Sequence, residues 1–202
     1  MSHTDSPDTP MMDAALVWET LLTGNRRYAS DAGHHPRQSA YRRAEVLPAQ
    51  HPFAMIIGCS DSRVPPEIIF DCGLGDLFVV RTAGHALDDA GYASVQYVVE
   101  HLGVQLIVVL GHSGCGAVKA VIDRVEAPGH LGILIARLQS AVEAAAGRPG
   151  DLLHNAVTEN VGQTVAHLRT LAPVLADLVA AGKVSIVGAH YDLETGLVTV
   201  IE

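Results

Sequence analysis

Apolar runs of β-forming residues alternate with helical stripes along most of this chain. After a polar, proline-containing stretch at 1–12, Asp13 can cap a helix reaching about Ala29, with Leu16, Trp18, Leu21, Leu22 and Tyr28 on its apolar side. A Gly/His/Pro/Ser loop at 30–40 and a short helical piece at 42–46 follow. Strands are predicted at 54–58, 77–81 (Leu-Phe-Val-Val-Arg) and 106–110, mainly apolar runs of the kind found in parallel sheets covered on both faces. Between them lie a short helix opening at Pro65-Pro66, a loop at 82–90 and a helix at 91–102. Further helices are expected at 115–126, 131–146 and 151–181, the last interrupted at Pro173. A final strand at 184–190 turns at Glu194-Thr195-Gly196 into 197–201, which reads as a hairpin. This order predicts an α/β fold: a mainly parallel sheet of four strands plus a C-terminal antiparallel strand, flanked by helices.

Length and composition agree with that plan. With 202 residues, one domain over 13–202 is expected, carrying a helical arm at 13–47 and preceded by a disordered or extended tail at 1–12. A chain of this size buries roughly 70% of its unfolded surface without disulfide staples. Thirteen Lys and Arg against 22 Asp and Glu give a formal charge of −9, which argues against nucleic-acid binding and against docking on anionic lipid. The first ten residues lack the basic and apolar regions of a secretory signal, and no apolar run reaches the ~18 residues of a membrane span. A cytoplasmic location is expected. Three cysteines in such a chain suit metal binding or catalysis better than bridges.

Two of those cysteines carry the candidate chemistry. Cys59-Ser60-Asp61-Ser62-Arg63 follows the first strand, and His112-Ser113-Gly114-Cys115 follows the third. In parallel sheets, ligands bind outside the carboxyl ends of the strands, so both segments belong at one site. Cys59, His112 and Cys115 offer the S, N and S donors that zinc prefers. Asp61 can reach either the metal or a water on it, and Arg63 can compete for that carboxylate. With two thiolates and one neutral imidazole, a Zn²⁺ site is formally neutral. Adding Asp61 would make it anionic and block the water position, whereas pairing Asp61 with Arg63 would open that position.

A lone cysteine after a strand is most often a small buried residue, and a structural zinc site would use the same three ligands. The adjacent acid–base pair favours catalysis. A phosphatase-type loop fails because Arg63 stands four residues after Cys59 and position 65 is proline. A P-loop fails because Ala117-Val118 replace its Lys-Ser/Thr.

These residues resemble the β-class carbonic anhydrases. The resemblance rests on Cys59-x-Asp61-x-Arg63 paired with His112-x-x-Cys115. It extends through Gly24-Asn25-Arg26-Arg27-Tyr28, residues 76–84 and Ala181-Gly182-Lys183. It implies one zinc per subunit on Cys59, His112 and Cys115, with Asp61 and Arg63 as catalytic dyad. The implied reaction is reversible hydration of CO₂ to bicarbonate and a proton, with zinc bringing the pKa of its water toward ~7. It also implies a substrate pocket of Gln50, Phe78, Ala83, Tyr97 and Gly116, and a homodimer or homotetramer with sites near subunit boundaries. Ala83 departs from the valine often found there. Of a second, bicarbonate-binding pocket, Arg81 and Tyr191 match, but Ile56 replaces the tryptophan.

The alternatives are hydrolysis of carbonyl sulfide or carbon disulfide on the same scaffold, and a non-catalytic zinc-stapled binding protein. Cys72 reads as structural. His34, His35, His85, His101, His130 and His190 are candidate proton shuttles, His85 first. Trp18 fits packing either on a partner subunit or on its own core.

Overall fold

The computed structural model describes residues 13–201, so the tail expected at 1–12 lies outside the described residues. Five strands form one sheet in the order β2-β1-β3-β4-β5: β1 (Ala54–Cys59), β2 (Leu77–Thr82), β3 (Leu106–His112), β4 (Ser185–Tyr191) and β5 (Val198–Val200). The first four pair in parallel and β5 runs antiparallel to β4, as the sequence predicts. The helices are α1 (Ala14–Ala29), α2 (Ala40–Glu45), α3 (Pro66–Ile69), α4 (Asp89–His101), α5 (Gly116–Ile122), α6 (His130–Ala145), α7 (Leu152–Arg169) and α8 (Val174–Ala180). Among the described residues no helix is long and apolar enough to cross a membrane.

Every residue of β1 and β3 is buried, because helices cover both faces of the sheet. Met55, Ile57, Ile107, Val109 and Ile186 pack with Val95 and Val98 of α4, Val161 and Val165 of α7 and Leu175 of α8. Ala54, Ile56, Leu106, Val108 and Leu110 pack on the other face with Val17 and Leu21 of α1 and Ile69 of α3. Trp18 lies half-buried against this second cluster, so it packs on its own core.

The segment at 24–28 locks α1 onto that face. A Cβ on Gly24 would stand 1.9 Å from the Phe70 carbonyl oxygen, so only glycine permits the approach of α1 to α3. Asn25, buried, donates to the carbonyls of Ile69 (3.2 Å) and Gly196 (2.8 Å) and accepts from the Val198 N–H (2.8 Å). Arg27 binds the buried Asp71 at 2.7 Å, and the Tyr28 and Tyr191 hydroxyls share a hydrogen bond of 3.1 Å.

Element ends differ from expectation where a cap or turn decides them. Asp88 caps α4 by accepting from the Gly91 N–H (3.0 Å), so the helix starts at Asp89 rather than 91. The helix expected to 126 stops at Ile122, just before Arg124 turns left-handed with φ 53°. The loop at 82–90 contains a 3₁₀ turn at Ala83–His85.

Candidate metal centre

The strand order 2-1-3 sets the site. From β1 the chain passes by α3 to β2 on one side, and from β2 by α4 across to β3 on the other. The two crossovers use opposite faces of the sheet and leave a crevice at the carboxyl ends of β1 and β3. Cys59 is the last residue of β1 and His112 the last of β3. Gly114 adopts φ 66°, a left-handed turn suited to glycine, and returns the chain so that Cys115 caps α5 beside them. Gly111 keeps α7 close: a Cβ there would lie 2.7 Å from Val161 Cγ2.

The donor atoms of Cys59, His112 and Cys115 all lie within 4.8 Å of one another, and all three residues are buried. The Nδ1 of His112 sits 2.9 Å from the Ser113 carbonyl oxygen. A carbonyl can only accept, so Nδ1 carries the proton and Nε2 is left with a lone pair. That Nε2 is buried without a hydrogen-bond partner. An orphaned lone pair beside two sulfurs is costly unless a cation takes it, so the three residues fit a metal ion. Cys59 is held well below the ordinary thiol range. The S–H of Cys115 is the main cause, helped by the N–H groups of Asp61 and Gly84, 3.4 and 3.3 Å from the sulfur. Cys115 is pushed up in return by sharing its proton with Cys59 and by burial. A metal bound there would displace the thiol protons.

Asp61 stands outside this cluster of three. Its Oδ1 accepts from the Arg63 backbone N–H and Nε, each at 2.9 Å, and its Oδ2 from an Arg63 terminal nitrogen at 2.8 Å. Arg63 thereby holds the Asp61 carboxyl well below the usual carboxylate range. Arg81 reaches across from β2 and donates to the carbonyls of Cys59 (2.9 Å) and Asp61 (2.6 Å), fixing the strand end that carries both side chains.

The chain that carries this donor set is similar to known proteins over most of its length. Residues 54–198 match the protein-family model described as carbonic anhydrase. The carbonic anhydrase of Mycolicibacterium smegmatis is 42% identical over 195 residues, covering 94% of each chain. The chain belongs to the carbonic anhydrase family. Carbonic anhydrase 2 of Mycobacterium tuberculosis is 40% identical, covering 93% of this chain and 92% of that protein. Within the family the β class is shown by a solved relative, the Coccomyxa β-carbonic anhydrase in complex with acetazolamide. It superposes with TM-score 0.71 at 30% identity, over 90% of this chain and 84% of that one. Family membership makes the chain an enzyme by descent.

In this β-carbonic anhydrase the expected pocket residues fall into two groups. Ala83 opens the turn after β2, and Gly116 follows Cys115; both are exposed at the cysteine end of the sheet. Phe78 instead lies four residues before Thr82, the register partner of Cys59, or about 13 Å along the strand. Its ring is 6.3 Å from that of Tyr97, which is 45% exposed, and Gln50 is exposed before β1. One chain does not bring this second group to its own cysteines.

His85, first among the expected shuttles, is fully enclosed, and burial pushes its pKa down to about 4. A ring that stays neutral and out of reach of solvent is unsuited to ferrying protons near pH 7. Burial likewise pushes the Cys72 thiol up to about 12, in keeping with a structural role. The sequence reading missed Asn160 of α7, whose Nδ2 donates to the Gly84 carbonyl (3.0 Å) and lies 2.9 Å from His85 Nε2. Its one local mark is an amide on an apolar helix face made by Ala156, Val157, Val161 and Val165, which does not name its partners.

Proposed function

We propose that this chain catalyses the reversible hydration of CO₂ to bicarbonate and a proton, with one zinc ion held by Cys59, His112 and Cys115. The observation that carries this reading is the buried, unpartnered Nε2 of His112 among two sulfurs. Two thiolates and one imidazole suit zinc, and three protein ligands leave one position of a tetrahedral site open. Zinc bound there would supply a nucleophile near neutral pH by acidifying water.

The chain's own residues do the rest. The Cys59 thiol is shifted down and the Cys115 thiol up by their mutual hydrogen bond, and both would bind a metal as thiolates. Arg63 keeps Asp61 ionised and turned away from the ligand set. Asp61, ionised and with acceptor capacity left on Oδ2, would take a hydrogen bond from an attacking water and orient it toward CO₂. Arg81 holds the backbone at Cys59 and Asp61 so that ligand and acceptor keep a fixed spacing. Ala83 and Gly116, small and exposed at the strand ends, leave room for a linear triatomic substrate.

The remaining pocket residues enter from a second copy of the chain. β2 is an edge strand, with one side unpaired within the chain. A two-fold axis perpendicular to that edge strand would set two β2 strands antiparallel. The Phe78–Tyr97 pair of one chain would then face the cysteine end of the other. The functional unit is thus a homodimer, or a homotetramer built from it.

The deciding experiment is stopped-flow CO₂ hydration against pH on protein of measured zinc content, beside a sulfide-release assay with carbonyl sulfide. One zinc per chain and CO₂ turnover are expected. Zinc retention with no hydration at any pH would overturn the reading, and preferential sulfide release would reassign the substrate.

A further inference from the structure

We infer that Asn160 is a positioning residue for the cysteine centre: its carboxamide locks the left-handed turn at Gly84 and His85, and that turn aims the Gly84 N–H at the Cys59 sulfur. The inference rests on the reading of Cys59 as a metal ligand.

Three links make the chain of contacts. The Gly84 N–H donates to Cys59 Sγ at 3.3 Å. The Gly84 carbonyl accepts from Asn160 Nδ2 at 3.0 Å, and the same nitrogen lies 2.9 Å from His85 Nε2. The orientation of the amide follows from chemistry. A carbonyl oxygen can only accept, so the NH₂ group of Asn160 must face Gly84. Its second hydrogen then goes to His85 Nε2, which must accept, leaving the ring neutral with its proton on Nδ1.

The turn needs such a clamp. Gly84 has φ 60° and His85 has φ 46°. A left-handed backbone costs a residue with a Cβ about 1–2 kcal/mol, so His85 does not hold this shape by itself. From above, the turn is confined by α5 and α6: a Cβ on Gly84 would lie 3.0 Å from Leu138 Cδ1 and 3.2 Å from Ala117 Cβ. From the side it is confined by Asn160, which is itself 93% buried on an otherwise apolar helix face. Burying an amide there is unfavourable unless both its hydrogens are used, and both are. An N–H directed at a thiolate withdraws electron density from the sulfur. Partners one shell out from a metal set ligand basicity and geometry, and losing one typically costs 10–100-fold in affinity or activity.

The test uses full-length protein reloaded with cobalt(II), whose thiolate-to-metal charge-transfer band reports the sulfur's electron density. Wild type, Asn160→Ala, the near-isosteric Asn160→Asp and, as a packing control one residue on, Val161→Ala are compared for that band, for cobalt affinity and for Tm. The Asn160 variants are expected to move the band to lower energy and to weaken affinity about 10–100-fold. Val161→Ala is expected to lower Tm with band and affinity unchanged. Asn160 variants that fold and keep the wild-type band and affinity would overturn the positioning role. A wild type lacking any thiolate band would instead overturn the metal reading beneath it. Should neither Asn160 variant fold, wild type loaded with an NMR-active cadmium isotope decides. A scalar coupling between the metal and the Gly84 amide proton is expected through the N–H···S contact, and its absence overturns the inference.

Discussion

Arg63 occupies both carboxylate oxygens of Asp61, contributing its backbone N–H, its Nε and a terminal nitrogen at 2.8–2.9 Å. Of the two arrangements that charge counting allows at this centre, the structure holds the one in which Asp61 is turned away from the cysteines. The arginine side chain is 57% exposed, so its pairing contributes little to stability in water. Its effect should appear in chemistry.

Removing the clamp separates those two effects. Arg63→Ala should lower CO₂ hydration about 10–100-fold while zinc content and Tm stay near wild type, because Asp61 becomes free to turn toward the metal. Arg63→Lys, which cannot make the bidentate pair, should fall between. Stopped-flow rates beside metal analysis check this, and a large loss of Tm would mean the pair is structural.

Asp61→Asn tests the acceptor itself. The amide keeps the volume but loses the charge and presents a donor where an acceptor is needed. Zinc should remain at one per chain and turnover should fall about 10–100-fold. Unchanged turnover would remove Asp61 from the mechanism.

His85 makes stability pH-dependent in a defined window. Its pKa is about 4 in the folded chain against 6.5 for the ordinary side chain. Between those values the unfolded chain binds a proton that the folded chain refuses, so stability falls as pH drops from 6.5 toward 4. The difference corresponds to about 3 kcal/mol. In His85→Asn the backbone keeps a residue tolerant of the left-handed region, and nothing titrates there. Urea midpoints measured at several pH values should show a flatter slope for the variant than for wild type. Parallel slopes would assign the proton elsewhere.

Mixed dimers test the shared pocket. Cys59→Ser abolishes one chain's own centre, and Phe78→Ala is expected to spoil the pocket it lends to its neighbour. Each variant alone should be nearly inactive. Co-refolding the two should restore part of the activity, since one site of each mixed dimer would be wholly wild type. No recovery, with mixed dimers present by mass, would confine the pocket to one chain.

The sequence showed the Cys59, His112 and Cys115 cluster more clearly than its support. Cys59, His112 and Cys115 were legible because ligand atoms must come from a few residue types and must stand at strand ends. Strands β1 and β3 were legible because two-sided burial leaves no polar residue in them until the ligands themselves. Asn160 was not, because an asparagine inside a helix usually faces solvent. Nothing local says that its partners lie more than seventy residues away. The 82–90 segment read as plain loop for a related reason. Its 3₁₀ turn lies against Asn160, Leu138 and Ala117, residues distant in sequence that the segment's own propensities do not reveal. The state of Asp61 was also beyond reach, since both arrangements satisfy the same residues.

The placement of β4 also sets when the centre can exist. His112 ends a strand whose outer neighbour is residues 185–191, with His112 opposite Tyr191 and the Ser113 hydroxyl accepting from the Leu193 N–H at 2.8 Å. During synthesis all three ligand side chains emerge from the ribosome long before that neighbour does. Until residues 185–191 are released, β3 is paired on its β1 side alone and His112 lacks the strand that lies opposite it. A chain truncated before β4 would therefore present the two thiols and the imidazole without the strand that holds His112 in line with them.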